Sequence, residues 1–200
     1  MSIKSPPSFK IERELLAAGY EWVVGVDEVG CGALAGSVMA GAVVLPVDSR
    51  IGALRDSKLL DGRAREALYP MIVEKARAWA VGEASVEEID ELGIRPATLL
   101  AMRRAIEGLA RVDYVLVDAW TIPSICFPQR GIIRGDLTVK SIAAASILAK
   151  VTRDRLMCAL AREFPVYGFD RHKGYGTLAH RHAIEIHGLC SLHRRSFLSN

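Results

Sequence analysis

A stretch of 19 residues without a charged side chain, Val29 to Val47, constrains the fold of this chain most. It follows Asp27 and Glu28 directly, and it is interrupted by Gly30, Gly32, Gly36, Gly41 and Pro46. Its strongly apolar part, Val38 to Leu45, has the length of a strand. A membrane-spanning helix needs about 20 predominantly apolar residues without such breaks. The pattern therefore predicts a glycine-rich turn followed by a buried strand, rather than a membrane span.

Strand-like and helix-like segments alternate along the rest of the chain. Runs of β-branched residues predict strands, and apolar residues at helical spacing predict helices. The strands are expected at residues 22–26, 38–45, 80–84, 114–117 and 132–133. The helices are expected at residues 11–18, 63–78, 97–110, 139–163 and 178–187. This order predicts an α/β fold in which helices flank a mixed central β-sheet.

The length and composition allow one hydrophobic core. The 200 residues are 50% apolar and 24% charged, which excludes the disordered, collagen-like and disulfide-stapled classes. A chain of this size buries roughly 70% of its surface on folding, so residues 1–200 are expected to form a single catalytic domain. Residues 1–10 are expected to be a flexible arm, and a helical segment from about residue 165 is expected to pack on the domain. The four cysteines lack zinc-site spacing and are expected to be reduced thiols.

The small net charge of +3 conceals an asymmetry between the two halves. Residues 1–100 carry 11 Lys and Arg against 15 Asp and Glu, whereas residues 101–200 carry 15 against 8. All five histidines also lie in the second half. This half suits a polyanion such as nucleic acid, although a solvated face has the same composition. Because the histidines have no cysteine partners at useful spacing, we expect them mostly at the surface or facing phosphate.

Two acids directly follow predicted strands. Asp27 follows residues 23–26 and Asp118 follows residues 115–117. Ligands bind where the carboxyl ends of neighbouring strands meet, and buried carboxylates there need a partner, a proton or a cation. Glu28 supplies a third acid and Asp136 a candidate fourth, and an all-oxygen set suits Mg²⁺ or Mn²⁺. Glu28 can join Asp27 only if the strand ends or bulges there, because successive strand residues face opposite sides.

The spacing of Gly30, Gly32 and Gly36 after a strand also approaches a dinucleotide-binding fingerprint. That fingerprint needs a crossover helix after the glycines. Only Ser37 separates Gly36 from the next apolar run, which leaves no room for such a helix. Asp27 and Glu28 would also repel a pyrophosphate. Dinucleotide binding stays an alternative that a titration with NAD(H) tests.

Five motifs resemble those of the ribonuclease HII family, and they occur in the family's order. They are GVDEVGCGALAG at residues 25–36, DSK at 56–58, SIAAASILAKVTRD at 141–154, HKGYGT at 172–177 and HRRSF at 193–197. The resemblance extends from about residue 22 to residue 197. It implies a ribonuclease H-like fold with a helical C-terminal extension.

The resemblance implies a nuclease activity and its cofactor. It implies four metal-site acids, Asp27, Glu28, Asp118 and Asp136, that hold two Mg²⁺ or Mn²⁺ ions. The family's members are endonucleases that hydrolyse the RNA strand of RNA–DNA hybrids and cut 5′ of ribonucleotides embedded in duplex DNA. The products carry 3′-OH and 5′-phosphate ends. We expect a monomeric, cytoplasmic protein that acts on these duplexes and not at a membrane.

The resemblance also implies substrate contacts. The backbone of Gly30, Cys31 and Gly32 would meet the sugar-phosphate near the RNA–DNA junction and help to sense the 2′-OH. Tyr175 would stack on the junction sugar, and Lys58 and Lys173 are candidate phosphate contacts. The chain departs from the family's usual residues in three places: Cys31 replaces a basic residue, Ala33 a proline and Ala119 a glycine.

Two other functions stay open at this point. A different nuclease of the same fold, such as a junction resolvase, would cleave a branched DNA that contains no RNA. A non-catalytic hybrid-binding protein would bind the duplex without cleaving it in Mg²⁺ or Mn²⁺.

Overall fold

The computed structural model describes residues 6–52, 54, 60–123 and 125–198. Within these residues one sheet contains the strands β1 (Val23–Val29), β2 (Val38–Val44), β3 (Ala78–Ala84), β4 (Tyr114–Asp118) and β5 (Gln129–Ile132). The helices are α1 (Lys10–Ala17), α2 (Gly62–Lys75), α3 (Val86–Leu92), α4 (Ile94–Glu107), α5 (Gly135–Thr138), α6 (Lys140–Glu163), α7 (Phe169–His172), α8 (Leu178–His187) and α9 (Arg195–Leu198). A 3₁₀ turn spans Pro165–Tyr167.

The sheet is mixed, which confirms the expected α/β architecture. Its strand order is β3-β2-β1-β4-β5. β1 pairs antiparallel with β2 and parallel with β4, and β4 pairs parallel with β5. Because β2 follows β1 directly and runs antiparallel to it, the glycine turn between them does not begin a crossover. The dinucleotide-binding alternative is therefore wrong.

Helices cover both faces of the sheet, and the faces alternate along β1. Val24 and Val26 belong to the core that includes Ala97 and Met102 of α4. Gly25 faces α6, which lies so close that an added Cβ would come within 2.2 Å of the Ser141 carbonyl carbon. Odd-numbered residues of β1 therefore face α6 and even-numbered residues face α4. Small side chains permit the close approach of α6, and its fully buried residues include Ala143, Ala144, Ala145 and Ala149.

The charge-free stretch forms a turn and β2, as the glycines predicted. None of the helices in the described residues is long and apolar enough to cross a membrane. β1 continues through Glu28 to Val29, three residues beyond the expected end. Sequence reasoning missed α3, which begins at a capping box in which the Ser85 side chain accepts from the Glu88 N–H.

Part of the expected N-terminal arm packs against the domain. Ser8 forms an isolated bridge with Val139, and Phe9 is buried. In α1 the buried Glu12 carboxylate accepts hydrogen bonds from the backbone N–H and the hydroxyl of Ser141, at 3.0 Å and 2.9 Å. Glu12 thereby caps the first turn of α6 from another helix. Residues 1–5 lie outside the described part of the chain.

The C-terminal helices surround a small aromatic core built on Tyr167 and Phe169. His180 and His193 lie inside it, fully buried, with their Nε2 atoms 3.1 Å apart. For these two histidines the expectation of a surface or phosphate-facing position is wrong, because the helical segment after residue 165 folds over them. Burial lowers the pKa of His180 to about 4 and also lowers the pKa of His193.

Candidate active site

The parallel pairing of β1 and β4 places two acids side by side. Val26 pairs with Val117, so Asp27 and Asp118 come next at the same edge of the sheet. Asp136 arrives from α5, just beyond β5. Each of the three offers a carboxylate oxygen, and these oxygens lie within 4.8 Å of one another. In the described residues this acidic triad is the group of side chains that fits a metal ion.

Hydrogen bonds from several elements fix two acids of the triad, Asp27 and Asp118. Asp27 Oδ1 accepts from the Glu28 N–H at 2.8 Å, and the Ser146 side chain of α6 also hydrogen-bonds Asp27. Asp118 Oδ1 accepts from the Gly135 N–H at 2.7 Å, which ties the end of β4 to α5. The carboxylates of Asp27 and Asp118 are therefore held in place by neighbouring secondary structure.

The backbone after Asp118 turns sharply. Ala119 adopts φ +60°, a left-handed conformation that costs a residue with a Cβ about 1 kcal/mol or more. The Trp120 N–H closes the turn on the Asp118 carbonyl at 2.8 Å. This conformation gives a physical reason for the glycine that the resemblance places at this position, and it shows that alanine is accommodated here under strain.

The acidic triad brings negatively charged carboxylates together in a largely buried place, where they repel one another. Asp27 is 4% exposed and Asp136 is 5% exposed. Burial, with additional repulsion from Glu28 and Asp118, raises the pKa of Asp27 well above its ordinary value. The Ser146 hydrogen bond and the Glu28 N–H oppose this shift. A divalent cation would remove the repulsion, and the all-oxygen donor set suits Mg²⁺ or Mn²⁺, so these residues fit such a metal.

Glu28 is not among the residues whose oxygens cluster within 4.8 Å. β1 stays regular through this position, where Glu28 pairs with Ala40 of β2, so no bulge turns the side chain towards Asp27. Glu28 is half-buried and lines a cavity of about 430 Å³ beside α4, together with Cys31, Thr98 and Trp120. Its negative charge still reaches Asp27 and helps to raise the pKa of that group.

The glycine-rich turn lies beside the triad, directly after β1. Gly30 is buried with φ +96°, and an added Cβ would come within 2.4 Å of Arg153 Nε. Gly32 is exposed, and no atom would lie within 4 Å of a Cβ there. Cys31 is half-buried with its Sγ 3.3 Å from Thr98 Oγ1, and burial raises the pKa of its thiol. The turn therefore has one buried side and one side open to solvent.

The segment that holds Tyr175 packs on the same turn. Tyr175 forms an isolated antiparallel bridge with Ala33, and its half-buried ring lies 5.4 Å from Lys150 Nζ. Lys173 has φ +53° and its ammonium donates to the Asp170 carbonyl. Lys58 lies outside the described residues.

Sequence reasoning missed the side chains that hold this site together. Ser146 on α6 bonds to Asp27, and two buried arginines, Arg153 and Arg194, bond to the backbone of the glycine turn. All three lie within the motifs at residues 141–154 and 193–197, but the motifs alone did not predict what these side chains contact. A polar residue within the Ala-rich stretch of α6 was the available signal for Ser146.

Comparisons with known proteins point to one family. The family model "Ribonuclease HII" matches residues 24–200. The chain is 52% identical over 199 residues to a ribonuclease HII from Ralstonia pickettii, covering 98% of this chain and 83% of that protein. It is 52% identical over 180 residues to a ribonuclease HII from Aliivibrio salmonicida, covering 90% and 87%. The crystal structure of the ribonuclease H2 from Pyrococcus horikoshii has a TM-score of 0.73 at 23% identity, covering 88% of this chain and 93% of the other.

Proposed function

Because this chain belongs to the ribonuclease HII family and is an endonuclease of the ribonuclease H type, we propose that its acidic triad is the catalytic centre for hydrolysis of RNA in RNA–DNA duplexes. The observation that carries the assignment is the convergence of Asp27, Asp118 and Asp136 within 4.8 Å. The substrates are RNA–DNA hybrids and duplex DNA with embedded ribonucleotides, cut 5′ of the ribonucleotide to leave 3′-OH and 5′-phosphate ends.

The triad, with Glu28 as the fourth acid, would hold two Mg²⁺ or Mn²⁺ ions. When bound, these ions supply activation of the attacking water and stabilisation of the leaving oxygen. Asp27 would hold the ions together with Asp118 and Asp136, and the Ser146 hydrogen bond would keep its carboxylate in place. Glu28 is the fourth acid of the proposed set. It contributes negative charge from the opposite face of β1, without sharing the triad's oxygen cluster.

The glycine turn and the Tyr175 segment would recognise the junction. The exposed backbone at Gly32 leaves room for a sugar-phosphate to approach closely, as reading a 2′-OH requires. Gly30 and Cys31 shape this turn, and Tyr175 supplies an aromatic surface beside it. Lys58 and Lys173 remain proposed phosphate contacts.

Three further assignments are part of the proposal. The full chain acts as one catalytic domain and works as a monomer. The four cysteines, all within the described residues, are free thiols, which favours a reducing compartment and hence the cytoplasm.

The test is a DNA duplex with a single ribonucleotide, incubated with Mg²⁺ or Mn²⁺, with the cut position mapped. We expect one cut 5′ of the ribonucleotide. Asp27→Asn and Asp118→Asn should each lower cleavage to below about a tenth of wild type while leaving duplex binding intact. Asp48→Asn is the matched control, because Asp48 is exposed and lies beyond β2 at the opposite end of the β1–β2 pair.

Other outcomes would contradict the proposal. Cleavage of a branched all-DNA substrate in place of the ribonucleotide duplex would identify a junction resolvase. Binding without cleavage in either metal would identify a hybrid-binding protein. Residual activity above about a tenth in the Asp27 or Asp118 variant would remove that acid from the metal site.

A further inference from the structure

Two arginines are fully buried beneath the glycine turn. Arg153 belongs to α6 and Arg194 precedes α9, and both are 0% exposed. Neither forms an ion pair within 4 Å in the described part of the chain. A buried guanidinium without a carboxylate partner is costly unless its N–H groups are well bonded. The hydrogen bonds of the two guanidinium groups therefore have to offset the cost of burying them.

Arg153 joins two segments of the proposed recognition surface. Its Nε donates to the Ser37 carbonyl at 2.9 Å and its Nη2 donates to the Ala35 carbonyl at 3.0 Å. Its Nη1 donates to the Lys173 carbonyl at 2.9 Å, two residues before Tyr175. One planar guanidinium thus fixes the end of the glycine turn relative to the Tyr175 segment.

Arg194 binds the same turn from the C-terminal side. Its Nε donates to the Gly36 carbonyl at 2.8 Å and its Nη1 donates to the Cys31 carbonyl at 3.2 Å. Its backbone N–H donates to the Leu34 carbonyl at 2.9 Å. Its Nη2 is buried and has no hydrogen-bond partner among the described residues. Burial and the nearby Arg153 lower the pKa of Arg194 to about 10, so the group stays charged at neutral pH.

The backbone of the two segments is also bonded directly. The Leu34 N–H donates to the Gly174 carbonyl at 2.8 Å, and the Gly36 N–H donates to the Leu192 carbonyl at 2.8 Å. Gly30 has no room for a Cβ against Arg153, so the turn rests on that side chain. The arginines therefore lie on the buried side of the turn, and Gly32 lies on its open side.

We infer that Arg153 and Arg194 are positioning residues for recognition of the ribonucleotide, because they bind five backbone carbonyls and lock the glycine turn and the Tyr175 segment into one rigid surface. The inference rests on the proposed function, which assigns the 2′-OH and the junction sugar to this surface. It goes beyond that function in naming the groups that fix the reading geometry. The hydrogen bonds of both arginines go to backbone carbonyls and not to Asp27 or Asp118, so recognition and metal binding are separable by substitution.

The test replaces each arginine by lysine, which keeps the charge and removes the planar fork. Arg155→Lys on α6 is the matched control for Arg153, since Arg155 is exposed and pairs with Glu66. The exposed neighbour Arg195→Lys is the control for Arg194. The kcat and KM are measured on a single-ribonucleotide duplex and on a continuous RNA–DNA hybrid, at a temperature at which circular dichroism shows each variant folded.

We expect kcat/KM on the single ribonucleotide to fall between about tenfold and a hundredfold relative to the continuous hybrid, mainly through KM. The Mg²⁺ concentration that gives half-maximal activity should stay unchanged, because the triad is intact. Equal losses on both substrates, or no loss in either arginine variant, would overturn the inference and leave the arginines a purely structural role. If Arg194→Lys does not fold, Arg194→Gln takes its place, since it keeps an NH₂ donor group in a smaller, neutral side chain.

Hydrogen exchange separates this inference from the proposed function. In the Arg153 and Arg194 variants the amides of Leu34 and Gly36 should exchange faster than in wild type, whereas those of α4 should not change. If wild type cleaves neither substrate, the proposed function fails, while faster exchange at the turn still supports the positioning of its backbone. Unchanged exchange at Leu34 and Gly36 in both folded variants would overturn the inference whatever the activity.

Discussion

Replacement of Asp27 by asparagine should abolish cleavage and yet stabilise the metal-free protein. Asparagine has almost the same shape as aspartate, and its Oδ1 can still accept the Glu28 N–H that Asp27 Oδ1 accepts at 2.8 Å. The change therefore removes the buried charge while the packing stays the same. The difference in the free energy of unfolding between Asp27→Asn and wild type therefore measures the electrostatic cost of the acidic triad.

The size of this effect follows from the geometry. The triad's oxygens lie within 4.8 Å of one another. Two unit charges at about that separation repel by roughly 3.5 kcal/mol at an effective dielectric constant of about 20. Asp118 is only half-buried, so solvent screens part of this repulsion. We expect Asp27→Asn to raise the free energy of unfolding of the metal-free protein by about 1–3 kcal/mol at neutral pH.

The pH dependence has a definite sign. The pKa of Asp27 is raised in the folded state above its ordinary value of 3.8, so the folded protein holds this proton more tightly than the unfolded chain. Metal-free wild type therefore loses stability as pH rises from about 3.8 through the raised folded value. Asp27→Asn lacks this loss, so its advantage is absent in acid and grows as the pH increases.

Urea unfolding in EDTA at a series of pH values measures the difference. Added Mg²⁺ should then stabilise wild type by mass action and stabilise Asp27→Asn much less. Asp48→Asn, which changes an exposed acid, should show neither effect. An Asp27→Asn protein that is no more stable than wild type in EDTA at neutral pH, or that has the same pH slope, would refute the electrostatic reasoning.

Substitutions at three further positions test other parts of the structure. Cys31→Arg restores the basic residue that the family resemblance places in the turn, and should raise single-ribonucleotide cleavage about tenfold relative to cleavage of a long RNA tract, through one charge-assisted phosphate contact. Glu12→Ala removes the cap on α6 and should lower the free energy of unfolding by about 1–3 kcal/mol, measured in urea. Burial raises the pKa of Glu12, so Glu12→Gln should cost less, because it keeps an acceptor without the charge. Gly25→Ala should cost about 3 kcal/mol or more, because its Cβ would come within 2.2 Å of the backbone of α6.

Each of these substitutions has a control or a clear contrary result. For Cys31→Arg, an unchanged ratio between the two substrates contradicts the prediction. Glu14→Ala changes an exposed acid of the same helix, and a loss equal to that of Glu12→Ala would argue against the cap. Gly52→Ala adds a Cβ where no atom lies within 4 Å, so equal losses for Gly25→Ala and Gly52→Ala would argue against tight packing of α6.

Local sequence patterns predicted the elements whose signals are strong and continuous. The helix over Leu178–His187 begins after Thr177, whose hydroxyl accepts the His180 N–H, and the sequence predicts both of its ends. α3 was missed because it is only seven residues long and Gly93, with φ +83°, separates it from α4. Its capping box was present in the sequence, at Ser85 and Glu88, and would have located it.

In the candidate site, too, the sequence contains the local signals but not the contacts that depend on strand pairing or on backbone atoms. The position of Asp27 and Asp118 at strand ends is visible in the sequence, because each follows an apolar run. The side of the sheet that Glu28 faces depends on whether β1 bulges, which is decided by pairing with β2. The contacts of Arg153 and Arg194 go to backbone carbonyls, and every residue type presents a carbonyl, so the partners leave no trace in the sequence.

The bonds of Arg194 also bear on the order in which the protein is made and folds. They connect residues separated by 158 and 163 positions. A growing chain contains the glycine turn early and contains this arginine only after residue 194 has been added, and contacts of such sequence separation are slow to form. The nascent protein would therefore assemble its sheet and its acidic triad before the proposed substrate-reading surface is fixed, and on that proposal specificity would be the last property it acquires.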